Sequence, residues 1–586
     1  MPDEIIDIAI VGAGVAGTYS AWRLVQDPAH KNKKIKVFDF LKIRGKAHVG
    51  GRLWSPHLPG LGHTRKAEMG GMRYLTSQPL VTNLVEHLGM KSVPFVTISN
   101  QTLFSLRSSI FRADEVREPH LIPYKLGPLE KGKSPSELLL YASETILPNA
   151  PYLTPEEWDE RKENAKFDGI HLYKLGFWNL LERILTSEGY KFGMAGQGYD
   201  TFLSNWNAAD AIEFLHSGFG SNVSYRYIAE GCQELPVRLL EQALEQGVLF
   251  EKNHRLKGWS KVVKNGEELV KLVFENPEDV SEKPIIVLAR QLILAMPKKS
   301  LELIDMPQTP ETQHFYQNLL PAVEPKPMFK FFLGYDYPWW RVLGMTAGQT
   351  ITDNPLRQVY YWGSNYQKFF KEAPAETGGI RNDPENSTIM VYLDGRDLQF
   401  WQPLFESISH HNKSRHNNST HFDVLKASYS LREKLIAASG QSELWQHSPG
   451  KKFIMDSEID QAEMMEDALE NLENTITNLL RQTHGINYVP KPYTFAFADW
   501  TADPFGGAYN LWKPGYKSWV VTKEIIKPFA KSPVFIVGEA YSTKQGWIEG
   551  ALETTEQMLE SYLGLSRPTW LPATNTESKS YIIELR

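Results

Sequence analysis

The sequence predicts an α/β protein that begins with a doubly wound parallel sheet. An apolar run, Ile5 to Val11, is followed by a glycine cluster, a helical pattern through Leu24 and a second strand-like run, Ile35 to Phe40. Strand, turn, helix and strand in this order start a doubly wound sheet. Aromatic and β-branched runs typical of an antiparallel sheet fill about 310–400. Another strand, Val534 to Val537, precedes a second glycine cluster near the C-terminus.

Composition narrows the class of protein. Hydrophobic residues make up 42% and charged residues 23% of the 586 residues, which argues against extensive disorder or a coiled-coil rod. The net charge of −6 gives no basic excess, so we expect no nucleic-acid partner and no membrane association. The single Cys232 excludes an intrachain disulfide and a cysteine-based metal site, and no other metal site is predicted. Since no signal peptide or apolar run of about 18 residues is recognisable, we expect a cytoplasmic protein.

The first glycine cluster is a dinucleotide-binding fingerprint. Gly12, Gly14 and Gly17 form GxGxxG directly after a strand and at the start of a helix. The first glycine permits the tight turn, the second lets the backbone approach a pyrophosphate, and the third lets the helix pack closely on the strand. Asp39 ends the second strand, where a carboxylate can accept hydrogen bonds from both ribose hydroxyls. The fingerprint alone leaves NAD and FAD open.

Three further motifs favour FAD. "HVGGRLWS" contains Gly51 and Arg52, which offer a second close backbone approach and a guanidinium for a phosphate. "AEMGGMRYL" follows at 67–75, and "VFIVGEAYSTKQGWIEGAL" lies at 534–552. In the last motif a helix begins just after Gly546, and a helix N-terminus that points at a flavin can stabilise negative charge on the reduced ring.

This ordered set of motifs resembles the flavin-dependent amine oxidase family and, within it, the L-amino acid oxidases, from Ile8 to about Leu563. The resemblance implies a two-lobed α/β fold with a Rossmann-like FAD lobe, a mixed-sheet substrate lobe and a helical insertion. The implied FAD-binding domain is discontinuous (1–75, 225–300 and 485–586). The substrate-binding domain would comprise 76–120 and 301–484, and the helical domain 121–224. FAD is expected to be bound without a covalent link, because Cys232 is far in sequence from the C-terminal glycine cluster.

The resemblance also assigns residues to the cofactor. Asp39 stands where the family usually has Glu, and Glu539 matches an acid that contacts FAD. Leu256 sits where an aliphatic residue offers backbone contacts to the adenine. The full predicted FAD-binding set is Gly12, Gly14, Gly17, Asp39, Gly51, Arg52, Gly70, Gly71, Met72, Arg73, Leu256, Glu539, Trp547 and Ile548.

Two residues are predicted to bind a substrate carboxylate. A guanidinium binds a carboxylate bidentately, and Arg73 follows the glycines expected beside the flavin, where L-amino acid oxidases have their carboxylate-binding arginine. The alternative is a structural salt bridge, for example with Glu68. Tyr392, in "TIMVYLDG", matches the family's second carboxylate ligand, and the alternative is a core aromatic residue of a strand.

Other candidate residues would serve the chemistry. Lys330 breaks an apolar strand run, and a buried lysine is costly unless it has a role. It matches the family lysine that holds a water near the flavin and helps oxygen to reoxidise it, although it could lie on the solvent face of an edge strand. The Gly546 carbonyl is expected to accept a hydrogen bond from the substrate amine, with Trp547 as an aromatic wall. His216 is a candidate general base, and the alternative is a helix-surface histidine.

The sequence thus predicts FAD-dependent oxidation of L-amino acids by dioxygen to 2-oxo acids, with release of ammonia and hydrogen peroxide, in a homodimer. A carboxylate facing the substrate would favour L-Arg and L-Lys, whereas an aromatic wall alone would favour Phe, Leu or Met. Acids such as Asp210, Glu213 and Asp503, and a likeness to bacterial oxidases of basic amino acids, favour L-Arg and L-Lys. The alternatives are a primary-amine or polyamine oxidase, a flavin amino-acid monooxygenase, or an FAD-containing binding protein.

Overall fold

The computed structural model describes residues 5–43, 46–58, 66–219, 223–277, 283–335, 337–362, 387–395, 397–413, 422–426, 459–492, 494–501 and 504–572. The strands are β1 Ile5–Val11, β2 Ile35–Phe38, β3 Lys42–Ile43, β4 Lys46–Ala47, β5 Tyr74–Leu75, β6 Ser92–Phe95, β7 Leu103–Leu106, β8 Ser109–Arg112, β9 Lys166–Phe167, β10 Ile170–His171, β11 Tyr225–Ile228, β12 Leu249–Glu251, β13 Arg255–Lys264, β14 Glu267–Glu275, β15 Ile285–Leu294, β16 Val323–Lys326, β17 Phe329–Tyr335, β18 Gln349–Thr352, β19 Gln358–Tyr361, β20 Ser387–Leu393, β21 Phe422–Lys426, β22 Thr494–Asp499, β23 Tyr509–Trp512 and β24 Val534–Ile536.

The α-helices connect and cover these strands. They are α1 Val15–Gln26, α2 Pro79–His87, α3 Pro135–Ile146, α4 Pro155–Asn164, α5 Phe177–Ile184, α6 Ser187–Gly196, α7 Ala208–Phe219, α8 Glu234–Glu245, α9 Lys298–Glu302, α10 Pro310–His314, α11 Leu398–Lys413, α12 Ile459–His484, α13 Ser518–Ile526 and α14 Ile548–Leu563. Within the described ranges, no helix combines the length and the apolar character that crossing a membrane requires.

The first sheet contains the N-terminal fingerprint at its centre. Its strand order is β12-β2-β1-β15-β14-β13, and β24 also pairs with β15. β1 runs parallel to both β2 and β15, so it is covered on both edges, and its apolar run is largely buried. β15 pairs antiparallel with β14 through its first half and parallel with β24 through its last three residues. The predicted doubly wound arrangement is therefore present, with an antiparallel extension.

The second sheet has the strand order β21-β22-β17-β20-β19-β18-β7-β8. β17 lies in its interior between β22 and β20, and all seven of its residues are buried. Because successive side chains of a strand point to opposite faces, Phe331 packs on one face against Trp401 of α11, and Phe332 packs on the other face. Lys330 shares the face of Phe332, so the alternative of a solvent-facing lysine on an edge strand is wrong.

Two strands fall in a sheet other than the one their sequence segment suggested. β22 belongs to the second sheet, although 485–586 was assigned to the FAD-binding domain. β11 forms a small sheet with β5 and β6 instead of joining the first sheet. An apolar strand pattern identifies a strand and not its neighbour, which explains both differences. The remaining domain boundaries stay a prediction.

The helical region between β8 and β11 is attached to the C-terminal part of the chain. Asn207 precedes α7, and its side-chain oxygen accepts a hydrogen bond from Ala209 N at 3.1 Å. Its amide donates to the carbonyl of Tyr516 at 3.0 Å, and its backbone N–H donates to the carbonyl of Trp512. One residue therefore caps α7 and ties its N-terminal end to β23 and the segment that follows it.

Candidate active site

Two neighbouring cavities receive most of the predicted residues. The larger has a volume of about 660 Å³, within the usual range for ligand pockets, and the smaller about 140 Å³. The predicted residues that line the larger cavity are Gly12, Gly14, Asp39, Gly51, Arg52, Gly71, Arg73, Leu256, Glu539, Gly546, Trp547 and Ile548. The smaller cavity is lined by Gly70, Gly71, Met72, Arg73, Lys330, Tyr392, Gly546 and Trp547. Arg73, Gly71, Gly546 and Trp547 line both, so the two cavities meet at these residues.

Two of the three fingerprint glycines stand where a side chain would collide with the backbone. Gly12 has a φ of +111°, and a Cβ on it would lie 2.2 Å from the carbonyl oxygen of Ala295. A Cβ on Gly17 would lie 1.9 Å from the carbonyl oxygen of Gly12. Gly14 is the N-cap of α1, and no side chain caps this helix. The N–H groups of the first turn of α1 are therefore available to an anion in the larger cavity.

Asp39 is held at the wall of the larger cavity by backbone groups. Its carboxylate accepts hydrogen bonds from Ala13 N at 2.6 Å and Leu41 N at 2.8 Å. Burial nevertheless raises the pKa of Asp39 above its usual value. Further lone pairs of the two oxygens can accept hydrogen bonds, which suits a ligand with hydroxyl donors.

Arg52 and Glu539 form an ion pair at the wall of the same cavity. Arg52 Nη1 lies 2.9 Å from Glu539 Oε2 and donates a second hydrogen bond to the carbonyl of Ala508. Glu539 also accepts from Asn510 N at 2.9 Å and from Gly546 N at 2.7 Å. Arg52 was expected to pair with a phosphate, and here it pairs with a carboxylate. Glu539 thus fixes the peptide of Gly546 at the junction of the two cavities.

The second glycine pair brings two segments into contact. A Cβ on Gly70 would lie 1.8 Å from the carbonyl oxygen of Arg52, and one on Gly71 would lie 2.6 Å from Leu53 Cδ2. The "GGM" segment therefore packs directly on the "GGR" segment. Met72 and Gly70 line the smaller cavity, so the predicted cofactor contact of these two residues would be at its junction with the larger one.

Arg73 is a buried cation without an anionic partner. Its Nη2 donates to Tyr199 Oη at 2.9 Å, and its guanidinium carbon lies 4.3 Å from the ring centre of Tyr225. Nη1 is buried and has no hydrogen-bond partner among the described residues, where no carboxylate is within ion-pair distance of Arg73 either. Glu68, the alternative partner, accepts hydrogen bonds from Ser55 Oγ and Cys232 N instead. A buried unpaired cation is costly, so the site is suited to an anion.

Lys330 faces the smaller cavity from β17. Its Nζ donates to the carbonyls of Gly70 at 2.5 Å and Glu68 at 3.2 Å. Only 1% of the residue is exposed, and burial lowers the pKa of Lys330 to about 7, against the attraction of Glu68. Lys330 therefore changes its charge near neutrality, unlike a surface lysine.

Tyr392 lies beside Lys330 across the sheet. The two residues pair in the register of β17 and β20, and Lys330 Nζ is 5.1 Å from the Tyr392 ring centre. The Tyr392 ring packs edge-on against Tyr199, the residue that binds Arg73. Arg73, Tyr392 and Lys330 are thus brought together around one small cavity from three separate sequence segments.

His216 lines neither cavity. Its Nε2 lies 2.9 Å from Ser143 Oγ of α3, and burial lowers its pKa. Phe214, two residues earlier in α7, does line the smaller cavity. Two residues correspond to about 200° of rotation in an α-helix, so His216 points away from the side that Phe214 occupies. His216 therefore lies away from the cavity in which a general base would act.

The acids that favoured basic substrates are engaged elsewhere. Lys162 contacts both Asp210, at 3.2 Å, and Glu213, and Lys544 lies 3.3 Å from Glu213. Neither acid lines the smaller cavity, and Asp503 lies outside the described residues. The lining of this cavity instead includes five aromatic or apolar side chains: Trp206, Phe214, Met328, Tyr509 and Leu511.

Several wall residues were not predicted from the sequence. Tyr199 and Phe214 line the smaller cavity, and Tyr225 contacts Arg73 without lining either cavity. All three come from segments with aromatic composition but no motif that would single out one ring. Tyr509 carries a polar contact, since its hydroxyl donates to Asp394 Oδ2 at 3.0 Å. Its position just before the "LW" of β23 gives no signal of its own, and only the fold brings it to the cavity.

Comparison with known proteins identifies the family. The family model for flavin-containing amine oxidoreductase matches residues 45–407, well over half of the chain. The chain therefore belongs to this family, and its cofactor is FAD. The larger cavity fits this cofactor, because it joins an uncapped helix N-terminus, a hydroxyl-accepting carboxylate and the glycine cradle. In the described part of the chain, no group of three or more His, Cys, Asp or Glu could hold a metal ion.

Similar proteins span nearly the whole chain at low identity. Aplysianin-A of Aplysia kurodai is 26% identical over 96% of this chain and 90% of its own length. Achacin of Lissachatina fulica is 25% identical over 95% and 93%, and L-amino-acid oxidase 4 of Hebeloma cylindrosporum is 22% identical over 96% and 83%. A solved structure of a putrescine oxidase variant matches with a TM-score of 0.59 at 14% identity, covering 96% of this chain and 99% of the other. At that identity the structural match supports the fold alone.

Proposed function

We propose that the protein is an L-amino acid oxidase, which converts an L-amino acid and dioxygen to a 2-oxo acid, ammonia and hydrogen peroxide. The observation that carries the proposal is the buried guanidinium of Arg73 at the junction of the two cavities, for which the described residues offer no carboxylate partner. A substrate carboxylate would supply the missing anion, and a simple amine would not. The named L-amino-acid oxidase of Hebeloma cylindrosporum among the relatives supports this choice.

FAD would occupy the larger cavity without a covalent link. The N–H groups at the start of α1 would bind the pyrophosphate, and Asp39 would bind the ribose. The N-terminus of α14, which no side chain caps, opens at the same cavity beside Trp547 and favours negative charge there. When bound, FAD accepts a hydride from the substrate α-carbon and returns the electrons to dioxygen. Cys232 does not line this cavity, so release of free FAD on denaturation would check the non-covalent link.

The substrate would be held by three groups. Arg73 and Tyr392 would bind the carboxylate, and the Gly546 carbonyl would accept a hydrogen bond from the amine. The N–H of Gly546 is already bound to Glu539, which fixes the orientation of this peptide. Trp547 lines both cavities and would close one side of the substrate. Such fixed contacts place the α-carbon before reaction, which is the main contribution of a protein to cofactor chemistry.

Lys330 would exchange protons with the substrate. The other described titratable groups that line the smaller cavity are Arg73 and tyrosines, and burial raises the pKa of Tyr392 and Tyr509 far above neutrality. Lys330, with its pKa of about 7, can exchange a proton with the substrate ammonium through a water and can present a positive charge to oxygen.

The wall of the smaller cavity favours apolar and aromatic substrate side chains. Among its described lining residues there is no Asp or Glu, and Trp206, Phe214 and Leu511 present carbon surface. A guanidinium or ammonium group on the substrate would lose its water shell there without a carboxylate partner. We therefore propose a preference for residues such as Phe, Leu and Met over L-Arg and L-Lys.

The test is peroxide release by the purified yellow protein with a panel of L-amino acids, their D-forms, putrescine and tyramine. The proposal expects peroxide with L-amino acids alone, ranked with Phe, Leu and Met first. Peroxide with amines alone would make the protein an amine oxidase, and carbon dioxide with an amide product would make it a monooxygenase. We also propose a homodimer, which light scattering on the same sample would test.

A further inference from the structure

Lys330 presents a different group to the substrate cavity in each of its two charge states. Two of its N–H groups are used by the carbonyls of Glu68 and Gly70, which belong to one turn of chain. A lysine ammonium has three N–H donors, whereas a neutral amine has two and a lone pair. The remaining position faces the cavity that Lys330 lines, and it is an N–H donor in the charged form and a lone pair in the neutral form.

Glu68, whose carbonyl accepts one of these hydrogen bonds, is a buried acid next to this lysine. Only 2% of the residue is exposed, and its carboxylate oxygens accept from Ser55 Oγ at 2.7 Å and Cys232 N at 2.8 Å. Both donors are neutral, and no cation of the described residues lies within ion-pair distance of Glu68. Burial raises the pKa of Glu68 to about 7, and Lys330 is the charge that opposes this rise. Lys330 Nζ is bonded to the backbone carbonyl of Glu68 and forms no direct ion pair with its carboxylate, so the two are neighbouring buried charges whose sum is zero when both are ionised or both neutral.

We propose that Glu68 is a positioning residue that sets the charge of Lys330 and thereby decides whether the substrate cavity contains a cation or a base. This inference rests on the proposed oxidase function, in which Lys330 serves both the substrate ammonium and oxygen. Glu68 touches neither substrate nor cofactor, and it acts through the lysine. Its role follows from its burial next to Lys330, whose Nζ contacts its carbonyl, and from the lack of any ion pair of Glu68 among the described residues.

The groups that face Lys330 give the proposal a definite sign. Glu68 favours the charged lysine, and Arg73 disfavours it by like-charge repulsion. The Cys232 thiol is also near, but burial raises its pKa well above its usual value, so it stays neutral. The Tyr392 ring lies at 5.1 Å and is neutral for the same reason. Removal of the Glu68 charge therefore lowers the pKa of Lys330, and a substrate carboxylate on Arg73 raises it.

The experiment measures the reduction potential of bound FAD against pH in the holoenzyme, with light-driven reduction and no amino acid present. The slope of potential against pH breaks at the pKa of a group that feels the charge of the cofactor, and we expect this break near neutrality in the wild type. In Glu68→Gln, which keeps the size of the side chain and one acceptor oxygen for Cys232 N but removes the charge, the break moves about one pH unit or more to lower pH. Glu68→Asp, which keeps the charge, restores it.

A second readout and a matched control complete the test. Reoxidation of the light-reduced enzyme by dioxygen is followed at each pH, and its break moves in the same direction in Glu68→Gln. The control is Glu130→Gln, which changes another buried glutamate that accepts from neutral donors, Gly127 N and Thr186 N, and lines neither cavity. This control leaves the break where the wild type has it.

The outcomes separate this inference from the proposed function. A folded, FAD-loaded Glu68→Gln protein with the break of the wild type would overturn the inference. An equal displacement in Glu130→Gln would overturn it too, because the effect would then not come from the neighbour of Lys330. Neither measurement uses an amino acid, so failure of the peroxide panel would reject the oxidase assignment and leave the Glu68–Lys330 result to be read on its own.

Discussion

Arg52 and Arg73 show how the two cavities differ. Arg52 stands at the wall of the larger cavity and is already paired with Glu539. Arg73 stands where the cavities meet, is more deeply buried, and has no carboxylate partner in the described ranges. The Arg52 charge is thus balanced within the protein, whereas the Arg73 charge has no anion among the described residues. A region built for a resident group can be complete beforehand, but a region built for a transient anion keeps a charge unpaired.

The largest expected effect is at the helix–strand contact of the cofactor region. Gly17→Ala places a Cβ 1.9 Å from the carbonyl oxygen of Gly12, and neither backbone segment can move without opening the first sheet. We expect a protein without bound flavin, measured by the visible absorption after purification. Gly193→Ala is the matched control within a helix, since its Cβ would meet Leu139 at an ordinary 3.9 Å, and it should gain up to about 1 kcal/mol of stability. A yellow, stable Gly17→Ala protein would contradict this account of the fingerprint.

The balanced pair of the cofactor region should be sensitive to loss of one partner. Glu539→Gln leaves Arg52 without its carboxylate and should cost about 3 kcal/mol in the free energy of unfolding of the apoprotein. Chemical denaturation measures this cost, and FAD titration measures the loss of affinity that accompanies it. The double variant Arg52→Met/Glu539→Gln should recover part of the loss, because no charge is then left alone. Additive losses in the double variant would show that the two side chains do not depend on each other.

The unbalanced charge of the substrate region should respond in the opposite way. Arg73→Met removes a buried cation that has no anion, so the apoprotein should become more stable by about 1 kcal/mol, a small gain because contacts with Tyr225 and Tyr199 are lost. Arg52→Met is the comparison, and it should destabilise. Thermal unfolding of both apoproteins decides the matter, and a loss in Arg73→Met as large as that in Arg52→Met would remove the distinction between the two regions.

The smallest expected effect concerns the aromatic and apolar lining of the smaller cavity. Phe214→Glu adds a carboxylate to a lining without acids among the described residues and should raise kcat/KM for L-Arg and L-Lys relative to L-Leu by about threefold, or 0.6 kcal/mol. Phe214→Gln is the control of similar size without charge. Relative kcat/KM values for the three substrates provide the measurement. An unchanged ranking in Phe214→Glu would mean that the substrate side chain does not reach this wall.

The sequence predicts the cofactor region better than the substrate region for a physical reason. Gly12 and Gly17 are needed where backbones approach very closely, and their GxGxxG spacing can be read from one short stretch of sequence although Gly12 packs against the distant Ala295. Lys330 could also be singled out, because a charge in an apolar strand is conspicuous. The aromatic residues that contact Arg73, Tyr199 and Tyr225, come from distant segments. The sequence offers no pattern that distinguishes them from other aromatic residues of this region.

His216 and β22 both show that non-local structure could not be predicted from local sequence patterns. Rough position along α7 suggested His216, but a shift of two residues in a helix reverses the face, and Phe214 is the residue at the cavity. Residues 485–586 were expected in the FAD-binding domain, yet β22 within them pairs with β17, more than 150 residues earlier. Local patterns fix local structure, and neither rotation about a helix axis nor the choice of strand partner is a local property.

The most direct test of the central claim is a comparison of one amino acid with its own decarboxylated amine. The wild-type kcat/KM for L-phenylalanine and for phenylethylamine is measured beside that of Arg73→Met, each with full FAD content. If Arg73 binds the substrate carboxylate, the wild type strongly prefers the amino acid, and Arg73→Met loses at least about 100-fold on it, or 2.7 kcal/mol, with little change on the amine. An equal loss on both substrates, or none on the amino acid, would contradict the assignment of Arg73 and with it the proposed substrate class.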